Sequence, residues 1–274
     1  MNTVNWFFVD GAVEASLPTT DRGLLYGHGL FETMRLWHGE LPLLDFHLAR
    51  LATDAKKLGL RCDVADLRAE IEGILPGLPP GGIVKLILTA GDSARGYRFP
   101  EPTKSRRVVQ FFPSSGKTAL DVLQICAYRL PANPALAGIK HLNRLDQVIA
   151  AVELPPHHDG LLLDHGERVI EALSSNLFLL WQNQWLTPRL DKSGVAGVMR
   201  ALLIEHVLPE MGITVTCRDI DLEMLSRADE VFTCNAVSGI TPIAEVIGVG
   251  RWTKTPGTAS ICVKLSERYP CFGL

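Results

Sequence analysis

The sequence has no run of about 18 apolar residues, so no membrane-spanning helix is expected. Its first residues, Met1-Asn2-Thr3-Val4-Asn5-Trp6, lack the basic start and long apolar core of a secretion signal. There is no excess of positive charge. The 27 Lys and Arg against 30 Asp and Glu leave a formal net charge of −3, which excludes general attraction to nucleic acid or to an acidic membrane surface. A metal framework is missing too. The six cysteines, at 62, 126, 217, 234, 262 and 271, form no CxxC pair, and no Cys/His cluster falls at zinc-ligand spacing. Thiols scattered in this way are expected to be reduced, as in a cytoplasmic protein. Internal repeats and low-complexity segments are absent. What is left is an ordinary globular composition, 47% hydrophobic and 21% charged over 274 residues, enough for two moderate domains or one large one.

The pattern along the chain divides it into two halves. Trp6-Phe7-Phe8-Val9, Asp10-Gly11 and Ala12-Val13 read as a hairpin. A second strand pair is expected from Leu30 to Leu36 and from Glu40 to Leu44, joined across His38-Gly39. Asp45 then suits the cap of a helix to about Leu58, striped by Leu48, Leu51, Ala52, Ala55 and Leu58. Another helix is expected over Ala65 to Leu75, before the breaker cluster Pro76 to Gly82. Strands follow at Ile83 to Leu88 and Val108 to Phe112. Strands with helices segregated between them predict an α+β layer. Pro113-Ser114-Ser115-Gly116-Lys117 reads as an interdomain connection. The expected division is therefore 1–113, a linker at 114–120, and 121–274. Beyond the linker come a strand (Val122 to Ala127), a helix (Leu145 to Val152) and short strands near Leu161, Val169, Leu177 and Trp185. A helix over Val198 to Val207, strands at Thr214 to Cys217 and Glu230 to Thr233 around a short helix at Leu222, and a final helix over Ala259 to Arg268 complete the pattern.

Chemistry concentrates in a few segments. Lys140, in Gly138-Ile139-Lys140-His141-Leu142-Asn143-Arg144, stands among apolar residues ahead of a helix on which Leu145, Val148, Ile149 and Val152 share one face. Apolar surroundings strip hydration from an ammonium and favour the neutral amine, which can form a Schiff base with an aldehyde cofactor. A surface lysine at a helix start has the same local appearance. Gly194-Val195-Ala196-Gly197 leads into Val198-Met199-Arg200. Glycine there lets a phosphate approach the unpaired N–H groups of a helix start, and an ordinary capped turn has the same pattern. Glu171 ends a strand-like run, either as a solvated carboxylate or as one fixed against a protonated ring nitrogen. Arg50, three residues after His47, carries a planar fork suited to phosphate, or to solvent. The loop Thr89 to Arg98 sets Arg95 and Tyr97 beside Gly96, which suits a carboxylate-bearing ligand or a mobile charged loop.

Taken together and in order, these segments resemble the fold-type IV, pyridoxal 5'-phosphate (PLP)-dependent enzymes, the class IV aminotransferase family. The resemblance runs from about residue 6 to 245. It is carried by Asp21-Arg22-Gly23, Tyr26 to Thr33, His47 to Leu51, Gly138-Ile139-Lys140, Val169 to Asn176 and Gly194 to Arg200. Within the family, Ala137 to Leu145, Arg95-Gly96-Tyr97, Thr187 to Asp191 and Cys234-Asn235-Ala236 are most similar to its 4-amino-4-deoxychorismate lyases. There are two departures from the family pattern: His28 stands where aspartate is common, and Glu32 is the residue usual in transaminases.

The resemblance implies a smaller N-terminal α/β domain and a larger C-terminal PLP-binding pseudobarrel domain. It implies that Lys140 holds PLP covalently and then carries a proton, and that Glu171 pairs with the ring nitrogen. Arg50, the backbone at Gly197, Val198 and Met199, and Asn235-Ala236 would take the phosphate. Arg95 and Tyr97, with Arg35 and His28, are the expected substrate contacts. The implied reaction is cleavage of aminodeoxychorismate to 4-aminobenzoate and pyruvate, a step of folate biosynthesis, in a homodimer. A D-amino-acid or branched-chain transaminase on the same scaffold, and a non-catalytic binding domain, are the alternatives. Retention of both Lys140 and Glu171 speaks against the last, since binding alone needs no Schiff-base amine.

Overall fold

The computed structural model describes residues 6–13, 16–98, 104–113 and 120–273. The chain divides into two compact units: Met1–Lys117 with Lys140–Asn143, and Thr118–Ile139 with Arg144–Leu274. Most of the expected linker, 114–119, lies outside the described residues.

The first unit is an antiparallel sheet backed by helices. Its elements are β1 (Phe7–Val9), β2 (Ala12–Val13), α1 (Arg22–Tyr26), β3 (Gly29–Trp37), α2 (Leu44–Lys57), α3 (Val64–Ile74), β4 (Gly81–Thr89) and β5 (Arg106–Phe112). The strand order is β2-β1-β5-β4-β3. Period-2 alternation sets the faces. Leu30, Glu32, Met34 and Leu36 of β3 are buried, with Val84, Leu86 and Leu88 of β4, while Phe31, Thr33 and Arg35 are only partly covered. Helix α2 buries Leu44, His47, Leu48, Leu51, Asp54 and Ala55, a stripe at helical spacing that includes two polar residues. Asp63 caps α3 by accepting from the N–H groups of Ala65 and Asp66.

Two local expectations are corrected here. The strand from Glu40 to Leu44 does not form. The turn at His38-Gly39 is real and closes a single bridge, Trp37 to Glu40, but the chain then enters α2 at Leu44. The apolar residues Leu41, Leu43 and Leu44 fit a buried strand or a buried helix start equally well by pattern, and burial under the helix wins. Asp45 is likewise not the cap. The capping position is Leu43, with no side-chain bond, and Asp45 lies in the first turn, where it pairs with Arg68 of α3.

The second unit is built on a ten-stranded mixed sheet. Its elements are β6 (Val122–Leu130), α4 (Leu145–Val152), β7 (Asp159–Asp164), β8 (Val169–Ala172), β9 (Asn176–Trp181), β10 (Gln184–Pro188), α5 (Val198–Leu202), α6 (Leu208–Glu210), β11 (Val215–Arg218), α7 (Leu222–Ser226), β12 (Glu230–Asn235), β13 (Gly239–Pro242), β14 (Glu245–Val246), β15 (Gly250–Arg251) and α8 (Pro256–Arg268). A π-helical turn, Leu203–Val207, joins α5 to α6. The main path is β11-β10-β9-β8-β7-β6-β14-β15, and β12 pairs with both β9 and β13. Strands β7, β8, β9 and β12 are buried along nearly their whole length because both of their faces are covered, so β7 and β9 have mostly apolar centres, whereas β12 also buries Glu230 and Thr233. Phe178 stacks on Phe232 across the β9–β12 pair, with ring centroids 4.8 Å apart.

Helix α4 has the expected bounds, and Leu145, Val148, Ile149 and Val152 do share a face. That face is exposed, at 67%, 57%, 43% and 84%, and the buried residue of the helix is Ala150.

Candidate active site

Lys140 rides on the β3 edge of the first unit. Its carbonyl accepts from the N–H of Phe31 at 3.1 Å, and the Leu142 N–H donates to Gly29 O at 3.0 Å. The Lys140 Nζ stands 4.3 Å from the centroid of the Phe31 ring. Its backbone N–H reaches the buried Asp54 Oδ2 at 3.4 Å. The amine is thus half-buried over an aromatic face. Lys85, opposite Thr33 in the β3–β4 register, places a second amine 5.1 Å from the same ring. Sequence reasoning passed over Lys85 because one lysine in a strand carries no pattern; only the register sets it beside Phe31.

Arg50 is not solvated. It forms a bidentate pair with the buried Glu32: Nε donates to Oε1 at 2.9 Å, and Nη2 donates to Oε2. His47 Nδ1 bonds the same Oε2 at 2.6 Å. Burial alone would raise the Glu32 carboxyl, but the Arg50 charge and the His47 hydrogen bond outweigh it and hold it below the ordinary carboxylate range.

His28 is used within this unit. Its Nδ1 accepts from Arg22 Nε at 3.2 Å, so its Nε2 is the donor to Leu58 O at 2.9 Å. Arg22, buried in α1, also holds the candidate substrate loop: Nη1 donates to Ser93 Oγ at 2.7 Å and Gly96 O at 3.0 Å, and Nη2 donates to Tyr97 O at 2.9 Å. Arg95 and Tyr97 themselves are exposed on that loop. Arg35 lies further along β3, its guanidinium 5.5 Å from the Trp37 ring.

In the second unit, Glu171 and the turn before α5 are built as one piece. Glu171 pairs with Asn176 across the tight β8–β9 connection and is buried. Its Oε2 accepts from the Val195 N–H at 2.9 Å and from Asn176 Nδ2 at 3.4 Å. Asn176 also donates to Val195 O at 2.8 Å and accepts from the Gly197 N–H at 3.1 Å. The glycines are required. Gly194 has φ +85°, and a Cβ on Gly197 would stand 2.1 Å from Asn176 Oδ1. The Gly197 N–H is therefore spent on Asn176. Val198 and Met199 occupy the first turn of α5, where N–H groups have no acceptor inside the helix. Arg144 is a cation beside Glu171: burial pulls its guanidinium down, against the charges of Glu171 and Asp146. Asn235 commits its side chain within the unit: Oδ1 accepts from the N–H groups of Val237 and Ser238 in its own loop, and Nδ2 donates to Ser175 Oγ of the β8–β9 connection at 2.9 Å. Among the described residues no cluster of His, Cys, Asp and Glu is arranged to hold a metal ion.

The sequence pattern of the family described as amino-transferase class IV matches residues 29–246. The chain belongs to that family. This class IV chain is 31% identical over 249 residues to an aminodeoxychorismate lyase of Vibrio harveyi, covering 88% of this chain and 91% of the relative. It is 28% identical to a putative branched-chain-amino-acid aminotransferase of Methanocaldococcus jannaschii, covering 97% and 94%. A crystal structure of 4-amino-4-deoxychorismate lyase from Pseudomonas aeruginosa superposes with a TM-score of 0.90 at 39% identity, covering 95% of this chain and 98% of that one. The fold is thus the two-domain, fold-type IV architecture of a PLP-dependent enzyme family.

The groups present fit PLP. The first unit offers a half-buried primary amine, Lys140, and a guanidinium with one edge fixed, Arg50. The second offers a buried carboxylate, Glu171, and the first-turn N–H groups of Val198 and Met199.

Proposed function

We propose that this protein is an aminodeoxychorismate lyase that binds PLP through Lys140, Glu171, Arg50, the backbone N–H groups of Val198 and Met199, and the Asn235-Ala236 loop; Gly197, whose N–H goes to Asn176, is left out of the expected set. The observation that carries the reaction class is the likeness to the Pseudomonas lyase, 39% identical over nearly the whole of both chains. When bound, PLP supplies an electron sink for the carbon that bears the substrate's amine. Lys140 Nζ anchors the cofactor at rest and takes the proton from that ring carbon during turnover. Glu171, buried and aimed by Val195 and Asn176, keeps the ring nitrogen protonated. Arg95 and Lys85 supply cations for the two substrate carboxylates. The substrate's own atoms divide into 4-aminobenzoate and pyruvate, so no co-reactant is consumed, and aromatisation drives the step.

Transamination is the second reading, supported by the Methanocaldococcus relative and by Glu32. The bonding of Glu32 weakens that support. Its carboxylate is spent on Arg50 and His47 inside the first unit, which gives it no substrate to select. We further propose a cytoplasmic homodimer, with the exposed apolar face of α4 covered by a second copy. Borohydride reduction of the holoenzyme followed by peptide mapping tests the site: the label is expected on Lys140, and a label on any other lysine overturns the assignment. Pyruvate formed without an amino donor supports the lyase, and a strict donor requirement supports the transaminase.

A further inference from the structure

We propose that Glu32 and His47 are positioning residues for the cofactor's phosphate group: Glu32 fixes the plane of the Arg50 guanidinium, and His47 fixes Glu32. The inference rests on the reading of Arg50 as the phosphate-binding side chain.

The geometry is that of a relay built on two elements. His47 and Arg50 lie three residues apart on α2, so they present to one neighbouring point. That point is the Glu32 carboxylate of β3, which is 1% exposed, as is His47. Oε1 takes Arg50 Nε at 2.9 Å, while Oε2 takes both Arg50 Nη2 and His47 Nδ1. Both carboxylate oxygens are committed, and none of the three side chains reaches the others through solvent. A long arginine side chain on a helix has many rotamers, and ordering them costs free energy whenever a ligand must do it. The Nε–Nη2 edge held by Glu32 lowers that cost before the ligand arrives. The pair is also close to neutral as a unit. It therefore offers a phosphate aimed donors more than net charge, and its value depends on geometry. His47 Nε2 is buried with no hydrogen-bond partner. An imidazole tolerates that cost where its other nitrogen does something specific, and here that nitrogen braces Glu32.

A purely structural role would neutralise Arg50 without regard to phosphate, and ligand choice separates the two. The probes are PLP and pyridoxal, which lacks the phosphate, titrated into apo-enzyme. Arg50→Ala is expected to weaken PLP by at least about tenfold and to leave pyridoxal within about twofold. Glu32→Gln should weaken PLP selectively, by about tenfold, and add nothing further in the Arg50→Ala background. His47→Ala should give a smaller loss with the same selectivity. If Arg50→Ala is selective but Glu32→Gln weakens both probes equally, or neither, the positioning role is overturned and the Arg50 reading stands. If Arg50→Ala itself is unselective, the Arg50 reading falls and this inference with it. Should Glu32→Gln fail to fold, Glu32→Asp, which keeps the charge and shortens the reach, carries the same comparison: selective loss of PLP supports the proposal, and equal or no loss overturns it.

Discussion

Asn176→Ala is the change that most directly probes how the second unit holds Glu171 and the 194–197 turn. Asn176 is 5% exposed, and its amide makes three contacts: to Val195 O at 2.8 Å, from the Gly197 N–H at 3.1 Å, and to Glu171 Oε2 at 3.4 Å. Alanine removes all three and returns nothing. The first two leave a carbonyl and an N–H unsatisfied near the core, and each such group costs about 1–3 kcal/mol; the third is long enough to add little. The expected loss is about 2–4 kcal/mol in total, seen by calorimetry as a fall in melting temperature of about 5–15 °C. PLP affinity should fall too, because Glu171 and the 194–197 turn lose their common anchor. Asn176→Asp gives a sharper signature. It keeps the acceptor for Gly197 but sets a second carboxylate beside Glu171 Oε2 and beside Val195 O. Two carboxylates at that spacing share a proton, so one folded-state pKa rises above its unfolded value. The folded state then binds more protons, and the variant's stability should fall as pH rises from the unfolded carboxylate range through the raised pKa. Wild type has no such slope from this pair. An alanine variant within about 0.5 kcal/mol of wild type, or an aspartate variant with no added pH slope, would refute the reasoning.

Three further outcomes follow from the same geometry. Lys140→Ala should abolish turnover while the protein still folds, measured by product formation beside circular dichroism; residual turnover near wild type would remove Lys140 from the chemistry. Glu171→Gln should lower turnover by orders of magnitude, each tenfold being about 1.4 kcal/mol, with a much smaller effect on PLP binding; equal losses in both would make Glu171 a binding group alone. Arg95→Ala should raise KM for aminodeoxychorismate with kcat little changed and PLP retained, and an unchanged KM would move the substrate contact elsewhere. The thiols offer an independent check on packing. Burial pushes Cys126 up to about 11 and Cys234 up to about 12, while Cys217 is exposed, so an aromatic disulfide reagent at neutral pH should modify Cys217 first and leave Cys126 and Cys234 until unfolding.

Much of this was legible in the sequence where the signal is local. The bounds of α4, the hairpin at Asp10-Gly11, and the run of β7 to β10 all follow from periodicity and turn residues. Lys140, Glu171 and the Gly194–Gly197 turn stand out through their ordered motifs. What was not legible depends on partners distant in the chain. Periodicity shows that Leu145, Val148, Ile149 and Val152 share a face, but cannot say whether that face is covered; in the chain alone it is not. Glu32 reads as a residue that distinguishes transaminases, and only the α2–β3 packing shows it bonded to Arg50 and His47. Arg22 sits in a recognised motif with no role visible in sequence, because its partners are the backbone carbonyls of a loop more than 70 residues away. Asn176 carries no signal beyond its motif, yet it joins the carboxylate to the glycine turn. Lys85 becomes a candidate only once strand register places it across from Thr33.

The most direct measurement of the central claim is a time course of both products from purified holoenzyme and aminodeoxychorismate, with no amino acid or keto acid added. The account predicts pyruvate and 4-aminobenzoate appearing together, mole for mole, over many turnovers, and neither appearing with Lys140→Ala. A reaction that stops after one equivalent per active site, and resumes only when an amino or keto acid is supplied, would contradict it and identify a transaminase.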